Sequence, residues 1–269
     1  MRICRFQSKT ASVASDRQNA SAKDFDAARY GIIEDDRVVE LLDPFRSRER
    51  TGQSWQLSEV KLLAPCAPNK IVCVGRNYAE HAAELGNAIP EEPLIFLKPL
   101  SAIIAPEEPI VLTPHSERVD YEGELAVVIG KQCRRLGAAD DVQPHILGYT
   151  CLNDVTARDL QKKDVQFTRA KGFDTFCPFG PWIETELDLN HARVETFVNK
   201  ERRQSAKFTE MIFPVEFLVR WISQMMTLEA GDIIATGTPA GIGPLSAGNI
   251  VEITVTGIGT LRNPVVKPA

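Results

Sequence analysis

Val119-Asp120-Tyr121-Glu122-Gly123-Glu124-Leu125-Ala126-Val127-Val128-Ile129-Gly130 is the stretch from which the rest of this chain is read. Residues 125–129 form an unbroken apolar, β-branched run closed by a glycine, the pattern of a buried strand. Just ahead of it stand two glutamates two positions apart. Successive strand side chains alternate faces, so Glu122 and Glu124 project to one side. Like charges held there repel unless a cation lies between them. Oxygen-only ligands suit a hard divalent ion, Mg²⁺ or Mn²⁺, better than zinc. Taken alone, the pair reads rather as a strand end carrying two solvated carboxylates.

At 269 residues the chain has room for one large domain, or one domain with a small appendage. Its 43% hydrophobic and 25% charged content is that of a globular protein and excludes disordered and fibrous classes. A formal charge of −5 speaks against a nucleic-acid partner, which calls for a basic face. The six cysteines, at 4, 66, 73, 133, 151 and 177, form no C-x-x-C pair and no dense framework. Reduced, buried thiols in a cytoplasmic protein are expected, and Cys177, with no partner signature, reads as packing rather than a nucleophile. Met1-Arg2-Ile3-Cys4-Arg5-Phe6 turns polar at once, so no secretory leader is expected. No apolar run nears the roughly 20 residues of a membrane helix, so a soluble protein is expected.

Strands are predicted at 2–6, 29–33 and 37–41, with a polar excursion over 8–26 and a short helix over 21–29 as its alternative. Residues 1–65 thus read as a small β-rich N-terminal domain, closed by the proline-bearing linker 64–68. Residues 66–269 form the larger domain. It opens with a strand at 70–74 and a helix at 78–85, for which Asn77 is the predicted N-cap and Gly86 the stop. Further strands are predicted at 125–129, 233–236 and 250–255. A helix over 214–227 starts at Pro214 and presents Phe217, Leu218, Trp221, Ile222 and Met225 as its apolar face. Strands outnumber helices without regular alternation, which makes the chain α+β and β-rich rather than doubly wound.

Three more stretches carry chemistry-bearing residues: Gly148-Tyr149-Thr150-Cys151-Leu152-Asn153-Asp154-Val155-Thr156-Ala157-Arg158-Asp159-Leu160-Gln161, then Thr168-Arg169-Ala170-Lys171-Gly172-Phe173-Asp174, then Thr236-Gly237-Thr238-Pro239-Ala240-Gly241. Each has an ordinary reading. Asp154 fits an N-cap ahead of a helix at 156–161. Arg158 and Gln161 fit a solvated helix face beside Lys162 and Lys163. Lys171 fits a surface lysine, and His81 with Glu84 an exposed i, i+3 ion pair. The 236–241 segment fits a tight turn; it is neither a phosphate loop nor a dinucleotide fingerprint. His115, His145 and His191 lack comparable company and read as structural.

Together with the Glu-x-Glu strand and the Asn77-Tyr78-x-x-His81-x-x-Glu84 helix, these motifs resemble the fumarylacetoacetate hydrolase family, over roughly residues 66–260 and in the same order. The resemblance implies a mixed β-sheet roll or sandwich with a small leading domain, assembled as a homodimer. It implies that Glu122, Glu124 and Asp154 bind one Mg²⁺ or Mn²⁺ per chain. Arg158, Gln161 and Thr238, with Arg76 and Tyr78, would hold the substrate. Lys171 would lie beside a developing enolate, and His81 with Glu84 would act as a general base on a lid helix. Gly123 departs from the family, where alanine is commoner, and is expected to loosen the strand slightly. The implied activity is metal-dependent C–C cleavage of a small 2-oxo acid, by acylpyruvate hydrolysis or oxaloacetate decarboxylation. The alternatives are an isomerase or decarboxylase of the 2-hydroxyhepta-2,4-diene-1,7-dioate type and, in another class, a non-catalytic metal-binding protein. Residues 86–93, next to the lid, are the candidates for setting specificity.

Overall fold

The apolar run at 125–129 is unbroken because both faces of its strand are covered. All of Gly123–Ile129 is buried; Leu125, Val127 and Ile129 enter one core, whereas Ala126 and Val128 enter another. In the computed structural model, which describes residues 1–9 and 28–268, this strand is central to a sheet of twelve. It pairs antiparallel with Ile146–Asn153 and with Ile233–Ala235. Ile233–Ala235 in turn pairs in parallel with Ile71–Gly75, which pairs antiparallel with the edge strand Leu94–Lys98. A second sheet of five strands, including Arg193–Val198, Ile250–Val255 and Gly259–Val266, sends Val194, Ile253 and Leu261 into the first core. The result is the expected β-rich α+β fold with mixed sheets.

The leading residues form a small domain with its own cluster of Cys4, Phe6, Ile33, Val38 and Val60. It extends the large sheet, because Arg2–Ser8 pairs with Cys177–Glu184. Apart from Ser8 and Lys9, the predicted 8–26 excursion lies outside the described residues, as does 21–27 of the alternative helix; Arg29 begins the strand Arg29–Glu34.

Four α-helices occur among the described residues: α1 Ala79–Glu84, α2 Arg158–Lys163, α3 Thr168–Lys171 and α4 Val215–Met225. None is long and apolar enough to cross a membrane. Two expectations are corrected here. The buried stripe of α4 is Val215, Leu218, Val219 and Ile222, while Phe217 and Met225 are 42% and 50% exposed. The i, i+3, i+4, i+7 spacing that packs a helix belongs to Val215, Leu218, Val219 and Ile222, so Leu218 and Ile222 face the core as expected. Nor does Asn77 cap α1. The cap position is Tyr78, and the buried Asn77 amide instead joins Phe213 and Thr236. Cys177–Glu184 is a strand despite Pro178 and Pro181. The register against Ile146–Asn153 shifts between Tyr149 and Cys151, opposite the residues around Pro181, a place where a missing N–H is tolerated.

Candidate active site

The two glutamates owe their position to a change of sheet. Val119–Tyr121 belongs to a three-stranded sheet and Gly123–Ile129 to the large one, with Glu122 at the crossing. Its amide donates to Asn153 Oδ1 at 2.9 Å, and the Asp154 amide donates to the Glu122 carbonyl at 2.9 Å. Gly123 faces Asn153 across the ladder, so Asp154 emerges beside the glutamates where the partner strand ends. Glu122, Glu124 and Asp154 are all buried, and each offers a carboxylate oxygen within 4.8 Å of the others. The N-cap reading of Asp154 does not hold: the residue capping α2 is Ala157.

Cations surround this cluster. Lys171 is no surface lysine. Buried at the end of α3, its Nζ donates to Glu122 Oε2 at 2.9 Å, Asp154 Oδ2 at 2.6 Å and Thr156 Oγ1 at 2.8 Å. Arg158 is buried as well, bonded to Asp120 Oδ2 at 2.9 Å, to Gln161 Oε1 at 2.5 Å and to Glu122. Burial by itself would raise the Glu122 carboxyl, but Lys171 and Arg158 hold it well below the usual carboxylate range. Burial would likewise discharge Lys171, yet Asp154 and Glu122 push it above the ordinary lysine value, so it stays an ammonium. Glu124 is the contrast. Burial, then the charges of Asp154 and Glu122, push it well above the usual range, and the hydrogen bond it accepts comes from the Gly237 amide at 2.8 Å.

Sequence reasoning missed three members of this network. Lys98 Nζ donates to Asp154 Oδ1 at 2.6 Å and to the Val155 carbonyl at 3.2 Å; its only local signal is a lysine closing the apolar run 94–97. Asp120 is fully buried between Arg118 and Arg158. Gln204 joins the metal strand to the 236–241 turn. Its Oε1 accepts from the Gly123 amide at 3.0 Å, and its Nε2 donates to Thr238 Oγ1 at 2.8 Å. Thr238 then donates to the Gly123 carbonyl at 2.9 Å. Gly123 is not a loosening of the strand. A Cβ there would lie 2.1 Å from Thr196 Oγ1, so the hydroxyl fills the space a methyl would need.

His81 is buried on α1, with Nδ1 3.1 Å from Glu84 Oε2. Glu84 Oε1 accepts from the Gly241 amide at 3.0 Å, which ties the helix to the 236–241 turn. A cavity of about 230 Å³ brings together Glu122, Glu124, Asp154, His81, Lys171, Arg158, Gln161, Thr238 and Arg76. Tyr78 is not brought to it: its ring packs in the core and its hydroxyl is buried without a partner among the described residues. Glu84 stands behind His81 rather than in the wall.

A hard divalent cation fits this donor set. Three convergent carboxylates supply oxygen only, and Glu124, raised by burial and then by two negative neighbours, would be stabilised as a carboxylate by a positive charge.

The fumarylacetoacetate (FAA) hydrolase C-terminal family model matches residues 70–266, and an Rv2993c-like N-terminal model matches residues 1–65. Protein Rv2993c of Mycobacterium tuberculosis is 53% identical over 227 residues, 83% of this chain and 85% of that protein. Oxaloacetate tautomerase YisK of Bacillus subtilis is 45% identical over 228 residues, 78% of this chain and 75% of that one. The crystal structure of 5-carboxymethyl-2-hydroxymuconate delta-isomerase from Mycobacterium smegmatis superposes over the full length of both chains, with a TM-score of 0.88 and 45% identity.

Proposed function

Because this chain belongs to the fumarylacetoacetate hydrolase family, we propose that it is a metal-dependent enzyme that shifts a proton beside the carbonyl of a small 2-oxo acid. Glu122, Glu124 and Asp154 hold Mg²⁺ or Mn²⁺. When bound, the dication supplies a Lewis acid for the 2-oxo group. The observation that carries the reading is the position of His81. It lines the cavity of the carboxylates, and its Nδ1 is taken by Glu84. That leaves Nε2 as the nitrogen able to exchange a proton with the substrate.

In the keto-to-enol direction Nε2 removes a proton from C3. The C–H electron pair becomes the C2–C3 double bond, and negative charge grows on the C2 oxygen. The fixed ammonium of Lys171 offsets that charge, and Glu84 stabilises the imidazolium that forms. Returning the proton to the oxygen completes the enol, and the reverse sequence gives the keto acid. Gln161 Nε2, with the N–H groups that Arg158 does not give to Asp120, Glu122 and Gln161, holds the C1 carboxylate.

The cleavage expected from the sequence uses the same residues, but the tautomerase and isomerase relatives favour proton transfer. One assay separates them. Purified protein with Mg²⁺ is given freshly dissolved oxaloacetate, and enol decay and pyruvate are followed by proton NMR. Rapid keto–enol equilibration without matching pyruvate is expected. Pyruvate appearing as fast as the enol decays would replace this reading with decarboxylation. Metal binding with neither reaction would leave a non-catalytic metal-binding protein.

A further inference from the structure

A second cavity, of about 770 Å³, shares no lining residue with the first. Its size falls within the roughly 300–1,000 Å³ of small-molecule sites. The walls come mainly from Tyr149, from the segment 185–190 after Cys177–Glu184, and from the segment 208–216 that enters α4. Leu187, Leu189, Phe208, Met211 and Val215 make its apolar part. Three carboxylates also line it, Glu186, Asp188 and Glu216, and among the described residues no lysine, arginine or histidine does. Asp188 is paired with His191 at 2.6 Å. Glu216 accepts from the neutral Gln143 amide at 2.9 Å, and neither it nor Glu186 has a cationic partner among the described residues.

Those carboxylates alone would be a solvated rim, and Glu216 suits the first turn of α4 whatever lies beside it. The hydroxyls of the same cavity are different. Tyr149 is 5% exposed, with its ring in the main core, and its hydroxyl has no hydrogen-bond partner among the described residues. Thr185 Oγ1 is buried and likewise unpartnered. Both residues line the cavity. Burial, then the Glu216 carboxylate, pushes the Tyr149 hydroxyl up to about 12, which keeps it a neutral phenol. Buried hydroxyls left unpaired are disfavoured, and two in one cavity are satisfied together by a ligand that brings several N–H donors.

We propose that this cavity is a second ligand site, for a small primary amine carried as its ammonium ion on a hydrocarbon body. The three N–H donors of the ammonium meet the two hydroxyl oxygens and a carboxylate, while the body rests on Phe208, Met211 and Val215. Glu186 and Glu216 supply the opposite charge and turn away acids, including any 2-oxo acid that enters the first cavity. The site is independent of the reaction proposed above.

The probe is 2-phenylethylamine, with 2-phenylethanol and 3-phenylpropanoate as its neutral and anionic counterparts. Binding to the whole protein near neutral pH is titrated by saturation-transfer proton NMR. The amine is expected to saturate with a Kd of about 1 mM, about tenfold or more tighter than the alcohol, and the carboxylate not to bind. Tyr149→Phe should weaken the amine by about fivefold, and the E186Q/E216Q double variant by about tenfold. Glu124→Gln, in the first cavity, should leave it within about twofold. Thermal unfolding checks that each variant is folded; the two glutamates are exposed, so their variant carries the test if Tyr149→Phe does not fold. No saturable binding, or equal binding of amine and alcohol, overturns the site. So does weakening by Glu124→Gln with the Tyr149 and glutamate variants unchanged. If E186Q/E216Q instead shifts self-association and leaves the amine unaffected, a second copy covers the cavity and the ligand site fails.

Discussion

At the inner end of the cavity, Glu122, Asp154, Lys98, Lys171 and Arg158 are all buried and bonded to one another. At its mouth, α1 carries His81 and Glu84 on six residues, and the Glu84–Gly241 hydrogen bond joins it to the opposite turn. The inner end is a network in which removing one charge strands its partner in a dry setting, where it costs several kcal/mol. The α1 side is tied to the 236–241 turn by one exposed hydrogen bond, worth about 1 kcal/mol. In the proposed reaction, holding the substrate and moving its proton fall to parts of different stiffness, which should respond differently to substitution.

The largest effect belongs to the inner end. Asp154→Asn removes a proposed metal ligand and the shared partner of Lys98 and Lys171. Mn²⁺ binding followed by calorimetry should weaken by at least about 100-fold, and stability should fall by about 3–5 kcal/mol in urea unfolding. Unchanged metal affinity would show that these carboxylates are not the ligand set, and the contrast with the lid would collapse.

Next is the base. His81→Ala should lower kcat by about 10²–10⁴-fold while Mn²⁺ affinity stays within about twofold. Glu84→Gln keeps the Gly241 bond but loses the carboxylate behind the imidazole, and should cost about tenfold. If His81→Ala abolished metal binding as well, lid and inner end would be one unit rather than two.

A smaller effect tests how tightly the metal strand is backed. Gly123→Ala drives a methyl against Thr196 Oγ1, with Ile253 Cδ1 also at 3.0 Å. Overpacking of this kind costs about 1–3 kcal/mol. Thr196→Ala in the same chain removes the closest atom and should recover part of the loss, so the double-mutant cycle should show a coupling of about 1 kcal/mol or more. Additive effects would mean that the strand shifts freely and the inner end is softer than its hydrogen bonds suggest.

The division between inner end and lid also governs what could be read from the sequence. Glu122, Glu124 and Asp154 were legible because strand periodicity and a motif are local properties. His81 and Glu84 were legible because i, i+3 neighbours meet on any helix. Lys98 was not, since what buries it is an aspartate 56 residues away, and a lone lysine after an apolar run is otherwise a strand end. Gln204 was hidden for the same reason: it meets Gly123 and Thr238 across two sheets. The meaning of Gly123 needed the coordinates of Thr196. The large sheet was readable at its continuous apolar strands and unreadable at Cys177–Glu184, where Pro181 lies opposite a register shift in the neighbouring strand.

The smallest expected effect concerns the packing behind the inner end. All six cysteines are free and buried, and Cys73 and Cys177 pack with Ala126 and Ala235 behind the charged cluster. Burial pushes the Cys177 and Cys151 thiols up to about 12 and Cys133 to about 11. An ordinary thiol titrates near 8.5, so raising the pH from 7 to 9 increases its thiolate fraction more than tenfold. In the native protein the raised values keep these thiols almost wholly protonated throughout that window, so their alkylation, followed by mass spectrometry, should stay far slower than an ordinary thiol's at both pH values. In urea all six should react with the ordinary pH dependence. Rapid native labelling of Cys73 or Cys177 would mean that the interior behind the carboxylates opens to solvent, and the stiffness assigned to the inner end would have to be given up.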